Sequence, residues 1–174
     1  MGQNSASLIV AGPVHRQPAT LEADKIIRDH VVVAVGAGLV PSPVVDIVAV
    51  TLIEVDMITR LAKAYAFPVP HRLVTYKVLI SLIGGIGPAW LGIKLQGLIK
   101  GLPLVGHALY VGTLSIFGGA SVYAVGKLFQ KHFETGGTFL SSENAVIKRY
   151  FQEKFEEGKS RVPQLLRDAA PSAT

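Results

Sequence analysis

Long apolar stretches, interrupted by proline and glycine, alternate with charged segments along the chain and are typical of helices. The first predicted helix runs from Leu21 to Leu39, with Thr20 as its N-cap and with Glu22 and Asp24 in its first turn, where the helix dipole favours carboxylates. Its second half is the apolar run 31–40. A helix that passes from water into an apolar layer has this pattern, and so does one that enters a protein core.

The Val-Pro-Ser-Pro segment at 40–43 separates this helix from the next one. Proline disfavours the helical conformation in the residue before it, and Ser42 followed by Pro43 suits an N-cap and a first helical residue. The second helix is therefore predicted from Pro43 to about Phe67, with Asp46 near its first turn, and the two helices form a hairpin. Within it, Glu54 either joins the polar face or is half buried.

The stretch from Met57 to Phe133 contains no Asp or Glu and includes the most hydrophobic segments. Its basic residues are spaced singly between apolar runs, so a nucleic-acid surface is not expected. Such spacing suits anionic lipids, near which each Lys or Arg contributes about 1 kcal/mol. The residues expected at the membrane surface are Lys77, Lys94, Lys100, Lys127 and Lys131.

Three apolar segments fill this stretch. Helices are predicted at 71–83 and 89–100 around a glycine-rich break, and the pair fits a re-entrant hairpin, two interfacial helices or a buried hairpin. The segment from Gly101 to Gly126 carries no formal charge and is long enough for a bilayer span, although full crossing stays open. Its small residues let helix backbones approach, within the chain or between subunits, and the predicted packing positions are Gly112, Ser115 and Gly119.

The last part of the chain resembles a soluble protein. Gly136 and Gly137 are predicted to stop a helix, and Ser142 to cap an amphipathic helix from Glu143 to about Gly158. The tail beyond Lys159 leaves room for at most one short helix. The predicted organisation is a flexible tail at 1–20, a helical membrane-associated domain at 21–137, and an amphipathic helix with a polar tail at 138–174.

Composition narrows the chemistry. Apolar residues make up 49% of the chain and charged residues 17%, and the absence of cysteine excludes disulfides and thiolate chemistry. The five histidines are scattered, none with a His or carboxylate three or four residues later that would pair ligands on one helix face. No phosphate-binding loop or catalytic constellation is found. We therefore expect no enzymatic activity, no cofactor and no metal site.

Four segments together resemble a known family. They are the small-residue and Pro-x-Pro-x-x-Asp pattern at 34–46, Met-Ile-Thr-Arg-Leu-Ala at 57–62, Leu-Pro-Leu-Val-Gly at 102–106, and Ala-Val-Gly-Lys at 124–127. Their order and spacing are similar to those of the YcjF-like domain of unknown function, over roughly residues 26–137. The resemblance implies Pro41, Pro43 and Asp46 as a structural signature and Gly106 and Gly126 as packing positions.

The resemblance also implies a bacterial, helical, membrane-associated domain, often fused to or encoded beside P-loop GTPases, without agreed catalytic residues. The expected fold is all-α, with helical hairpins and a C-terminal amphipathic helix. The expected function is a non-enzymatic scaffold that forms a homo-oligomer at the bacterial inner membrane or its cytoplasmic face. The alternative is a soluble adaptor or regulatory partner of a P-loop GTPase, ahead of a channel or transporter subunit.

Overall fold

The computed structural model describes residues 16–37, 43–69 and 104–169. These ranges contain helices and no strand, so the predicted all-α class is confirmed. The helices are α1 (Arg16–Ala37), α2 (Pro43–Ala64), α3 (Leu104–Glu134), a short 3-10 helix (Phe139–Ser141) and α4 (Asn144–Ala169). For residues 16–18, 43–47, 104–111, 113 and 114, the structure describes the helical backbone but not the side chains.

α3 is the central helix, since it packs against each of the other three. α1 runs antiparallel to α3, with Ile27 beside Gly126 and Val35 beside Gly119. A Cβ at Gly126 would lie 2.8 Å from Ile27 Cγ1, and one at Gly119 would lie 2.7 Å from Val35 Cγ2. Glycine at these two positions is what lets the two helices approach closely.

α2 runs parallel to α3 on the same side as α1. Val50 lies beside Gly118, and further along both helices Met57 lies beside Gly126. Met57 is fully buried, as is Leu61 one turn later. Burial of a side chain of this size stabilises the fold by about 1.5–3 kcal/mol, so these positions fix α2 against the bundle.

α4 makes the most extensive helix contact of the described residues, along α3. At Gly158 the helices are so close that a Cβ would lie 3.0 Å from the Cα of Ala120. α4 continues through Pro163 to Ala169, so the predicted end near Gly158 is wrong. The reason is tertiary: Val162, just before the proline, is fully buried against Gly119 and holds the second half of the helix on the core.

The start of α1 differs from the prediction. The helix begins at Arg16, and not at Leu21, so Thr20 is a helical residue and not an N-cap. Pro18 lies in the first turn, where a missing N–H group removes no intrahelical hydrogen bond. The proline that indicated a tail is therefore compatible with a helix, and residues 16–20 belong to α1.

The other helix boundaries follow local rules. α2 begins at Pro43 as predicted, and it ends at Ala64 because Ala66 adopts a positive φ of 50°. The Phe67 N–H then donates to the Ala62 carbonyl over 2.7 Å, which closes a Schellman turn. α3 ends in the same way at Gly136, and the predicted glycine stop is confirmed.

α4 starts one residue later than predicted. The Glu143 carbonyl accepts the Ile147 N–H over 3.2 Å, which makes Glu143 the N-cap in place of Ser142. Phe151 and Phe155 of this helix are buried against the bundle. The helices predicted at 71–83 and 89–100 lie outside the described residues.

Candidate functional site

A shallow groove of about 410 Å³ runs between α1 and α2. Its apolar part is formed by Val33 of α1 with Leu52 and Ile53 of α2. Val33 is 58% exposed and Leu52 is 56% exposed, and Val48, one turn before Leu52, is 53% exposed. Val33, Val48 and Leu52 are called the apolar face below.

Polar side chains line the rest of the groove. His30 Nδ1 donates to the Ile26 carbonyl over 2.7 Å, and His30 Nε2 lies 3.0 Å from Asp56 Oδ2. Arg60 Nε also donates to Asp56 Oδ2, over 2.8 Å. Asp29, His30, Asp56 and Arg60 are called the polar border.

The electrostatics of the polar border follow from these contacts. The hydrogen bond from His30, helped by the hydrogen bond and charge of Arg60, lowers the pKa of Asp56 although partial burial opposes it. Asp56 therefore stays ionised through the physiological range. The side chain of Arg60 is 62% exposed and that of Asp56 is 54% exposed, so the cluster is accessible from water.

Charge is distributed unevenly along the bundle. No Asp, Glu, Lys or Arg occurs at 31–37 of α1, 47–53 of α2 or 112–126 of α3. Glu54, which directly follows the α2 segment, is buried. Because α1 is antiparallel to α2 and α3, these three segments meet at one end of the molecule, called the uncharged end below. α4 differs, since Lys159 lies at this end, with its Nζ 5.6 Å from the centroid of the Phe117 ring of α3. The uncharged end thus has an apolar side at α1–α2 and a charged side at α4.

Glu54 lies inside the bundle between α2 and α3. It is 0% exposed, and Ser121 Oγ donates to its Oε1 over 3.1 Å, while Oε2 has no partner among the described residues. Burial raises the pKa of Glu54 to about 8, although the Ser121 hydrogen bond opposes the rise. The carboxyl is therefore protonated at neutral pH, and of the two placements open from sequence, the buried one is closer to the structure.

The predicted membrane-surface residues have different surroundings. Lys127 is 23% exposed, and its Nζ lies 2.7 Å from Asp24 Oδ1 and 3.0 Å from Gln130 Oε1. Lys131, one turn later, is exposed to solvent. Lys127 therefore has intramolecular partners, whereas Lys131 faces water. The other three, Lys77, Lys94 and Lys100, lie outside the described residues.

The signature positions fall mainly at helix starts. Pro43 is the first residue of α2, Asp46 lies in its first turn, and Gly106 lies in the first turn of α3, while Pro41 is outside the described residues. Gly126 packs inside the bundle against Ile27.

The predicted packing positions of α3 differ in burial. Gly119 packs against α1 and α4, and Ser115 is 3% exposed with no partner for its Oγ among the described residues. Gly112 is exposed, and a Cβ there would meet no atom within 4 Å. Gly119 therefore serves contacts within one chain, and Gly112 stays open on the surface.

The sequence alone did not indicate the groove. The spacing of Asp56 and Arg60 predicts their ion pair, but His30 comes from another helix, 26 positions away. The apolar face consists of ordinary Val and Leu residues, and only their exposure distinguishes them. The one usable signal was the change from charged to apolar residues within α1.

Two features are absent from the described residues. Within 16–37, 43–69 and 104–169, no three or more His, Cys, Asp or Glu side chains are grouped as metal ligands. Over the same part of the chain, no helix combines the length and hydropathy of a membrane span.

The fold and its surfaces define a small helical bundle with an amphipathic groove. The chain belongs to the family described as domain of unknown function (DUF697), whose sequence profile matches residues 13–160, so the predicted family membership is confirmed. It is also similar to magnetosome membrane protein 22 of Magnetospirillum gryphiswaldense, with 37% identity over 141 residues that cover 80% of this chain and 72% of the relative. No solved structure matches the chain.

Proposed function

We propose that this chain is a non-enzymatic, membrane-associated helical protein that rests on a bilayer through its apolar face. One observation carries the proposal: three large apolar side chains, each more than half exposed, lie at the end of the bundle where α1, α2 and α3 carry no surface charge. Water is an unfavourable surrounding for such a group, and the hydrocarbon boundary of a bilayer is a favourable one.

The energetics suit attachment to a membrane surface. Burying one Val or Leu side chain fully is worth about 1.5–3 kcal/mol, so the half-exposed Val33, Val48 and Leu52 together supply a few kcal/mol. That is enough for reversible binding, and basic residues near the headgroups add about 1 kcal/mol each. Arg60, 62% exposed at the polar border beside the apolar face, is one such residue, and anionic lipids are therefore the expected partners.

The orientation follows from the two sides of the uncharged end. With the apolar face towards lipid, the polar border reaches the headgroups, and the charged side formed by α4 remains in water. The relative named a magnetosome membrane protein supports a membrane location for this chain as well. We place the protein at the cytoplasmic face of a bacterial inner membrane.

Self-assembly into a homo-oligomeric scaffold is the second part of the proposal. Gly36 of α1 and Gly112 of α3 are exposed, and a Cβ at either would meet no atom within 4 Å. They leave two neighbouring helices with open small-residue positions, at which a second copy can approach the backbone. Sizing the chain in detergent and in detergent-free buffer tests this part: a discrete multimer in detergent is expected, and a monomer under both conditions would contradict it.

Vesicle flotation tests the membrane part. The full chain should float with vesicles that contain phosphatidylglycerol, and a variant with Val33→Glu and Leu52→Glu should remain in the bottom fraction. Leu21→Glu is the matched control, because Leu21 is 72% exposed and lies on α1 far from the apolar face. Equal flotation of the three proteins would refute the assigned surface.

The alternative function, a soluble adaptor of a P-loop GTPase, makes a different prediction. The wild-type chain would then stay with the soluble fraction as a monodisperse species, with or without vesicles. That result would overturn the membrane proposal, since the apolar face would have to be covered by a protein.

A further inference from the structure

We propose that the groove between α1 and α2 binds an ethanolamine phospholipid, with its ammonium group at the polar border and an acyl chain along the apolar face. The inference rests on the proposed membrane function and adds the class of lipid that this surface selects. It is carried by the order of polar and apolar side chains in the groove and by the atoms that the polar border leaves available.

On both helices, the polar residues of the groove lie at the same end and the apolar residues at the other. On α1, Asp29 precedes Val33 by one helical turn, and on α2, Leu52 precedes Asp56 by one turn. Because the helices are antiparallel, both carboxylates lie on the same side of the two apolar residues, displaced by about 5.4 Å along the helix axis. A phospholipid has the same order, with a charged headgroup followed by hydrocarbon.

The carboxylates have acceptor atoms to spare. Arg28 donates twice to Asp29 Oδ1, over 3.2 and 3.1 Å, and both donors to Asp56 reach its Oδ2. The remaining oxygens, Asp29 Oδ2 and Asp56 Oδ1, have no partner among the described residues, on side chains that are 53% and 54% exposed. Two such acceptors suit a primary ammonium group, which has three N–H donors.

A guanidinium group is available for the phosphate. Arg60 uses Nε for its contact with Asp56, and no partner among the described residues contacts its two terminal nitrogens. These nitrogens can donate to phosphate oxygens, an interaction that planar guanidinium groups favour. The polar border thus offers acceptors for an ammonium group beside donors for a phosphate group.

This chemistry discriminates among common headgroups. Choline has no N–H donor and is recognised through aromatic rings, and no Phe, Tyr or Trp is among the described residues that line this groove. A glycerol headgroup has no cation for the two carboxylates. Ethanolamine satisfies both requirements, while anionic lipids elsewhere in the membrane still attract the basic residues.

Flotation with matched vesicles tests the selection. All vesicles contain the same fraction of phosphatidylglycerol, and the remaining lipid is phosphatidylcholine alone, an equal mixture with phosphatidylethanolamine, or an equal mixture with its N,N-dimethyl analogue. The wild type should bind the ethanolamine vesicles roughly threefold more tightly than the choline vesicles, as expected for exposed charge pairs. The dimethyl analogue should give an intermediate value, which separates hydrogen bonding from lipid packing.

Three variants assign the roles. Asp29→Asn with Asp56→Asn should abolish the preference, Arg60→Gln should weaken binding to all vesicles alike, and Asp168→Asn, at an exposed carboxylate of α4, should change nothing. Circular dichroism checks that each variant is folded. A preference that survives in the double variant, or a wild type that binds all compositions equally, would overturn the lipid selection and leave the membrane function intact. A wild type that binds no vesicles would overturn both.

Discussion

The two ends of the bundle treat polarity in opposite ways. At the charged end, formed by residues 19–25, 60–69 and 127–150, the Tyr65 hydroxyl donates to Glu134 over 3.1 Å and aromatic rings such as Phe133 are buried. At the uncharged end, Leu52 is exposed, while Ser115 and, at its edge, Glu54 have buried oxygens without a partner among the described residues. Leu21 is also exposed at the charged end, but the uncharged end groups three such side chains on two neighbouring helices and has buried oxygens without a partner among the described residues, which suits a surrounding other than water.

The largest expected effect on stability is the pH dependence caused by Glu54, at the edge of the uncharged end. Its pKa is about 8 in the folded protein against 4.5 for the ordinary group, so the folded state holds the proton more tightly. The resulting stabilisation is complete below pH 4.5 and is lost as the pH rises through 8, by about 1.4 kcal/mol per unit and about 5 kcal/mol in all. Glu54→Gln, which cannot ionise, should therefore be more stable than the wild type at pH 8 and above.

Urea unfolding of wild type and variant over a pH series measures this difference. Subtracting the two curves removes the contribution of other groups, such as Asp56, whose lowered pKa acts in the opposite direction at acidic pH. Glu22→Gln, at an exposed glutamate of α1, serves as the control and should follow the wild type. A pH-independent difference between Glu54→Gln and wild type would show that Glu54 is ionised in the folded state.

Truncating one leucine at each end sharpens the comparison. Leu61→Ala removes a fully buried side chain and should lower the free energy of unfolding by about 2–5 kcal/mol. Leu52→Ala removes a side chain that is 56% exposed and should change it by less than about 0.5 kcal/mol in water. Chemical denaturation compares the two, and a large loss at Leu52 would mean that it belongs to the core and not to an open surface.

Glycines separate the packed interior from the open surface. Gly158→Ala should lower stability by about 1–3 kcal/mol, because the new Cβ would lie 3.0 Å from the backbone of Ala120, which cannot move aside. Gly112→Ala should raise stability by about 1 kcal/mol, since alanine is the better helix former and the position is open. Thermal unfolding of both variants without lipid gives the sign of each change, and a gain at Gly158 would contradict the close α3–α4 contact.

The smallest expected change in stability comes from substitutions in the turns that end α2 and α3, at the charged end of the bundle. Ala66 has a φ of 50°, a conformation that costs a residue with a Cβ about 1–2 kcal/mol. Glycine avoids this strain, but part of the gain is lost because glycine also increases the conformational entropy of the unfolded chain. Ala66→Gly should therefore stabilise the protein by about 0.5–1 kcal/mol. Gly136→Ala, at the equivalent position of α3, should have the opposite sign, and equal signs in a denaturation assay would argue against the shared turn.

Local rules account for what could be read from the sequence. Pro43 fixes the start of α2 and Gly136 the end of α3, because each acts through its own backbone. Tertiary contacts account for what could not be read. Val162 is buried against Gly119 and carries α4 past Pro163, which a single-helix rule treats as a stop.

The candidate site shows the same limit. The pair of Asp56 and Arg60 follows from their spacing, whereas His30 joins them only because α1 and α2 pack together. The burial of Glu54 and the exposure of Leu52 are both set by the rotation of α2 against α3. Apolar composition indicated a membrane protein, but the side that faces lipid required the arrangement of the helices.

Attachment of fluorescent probes at single positions tests most directly whether the apolar face meets lipid. The chain contains no cysteine, so Leu52→Cys and Leu21→Cys each give one labelling site for an environment-sensitive probe such as nitrobenzoxadiazole. On addition of anionic vesicles, the probe at position 52 should shift to shorter wavelength and be quenched by brominated lipid, and the probe at position 21 should do neither. Identical responses at the two positions, or none at position 52, would contradict the account.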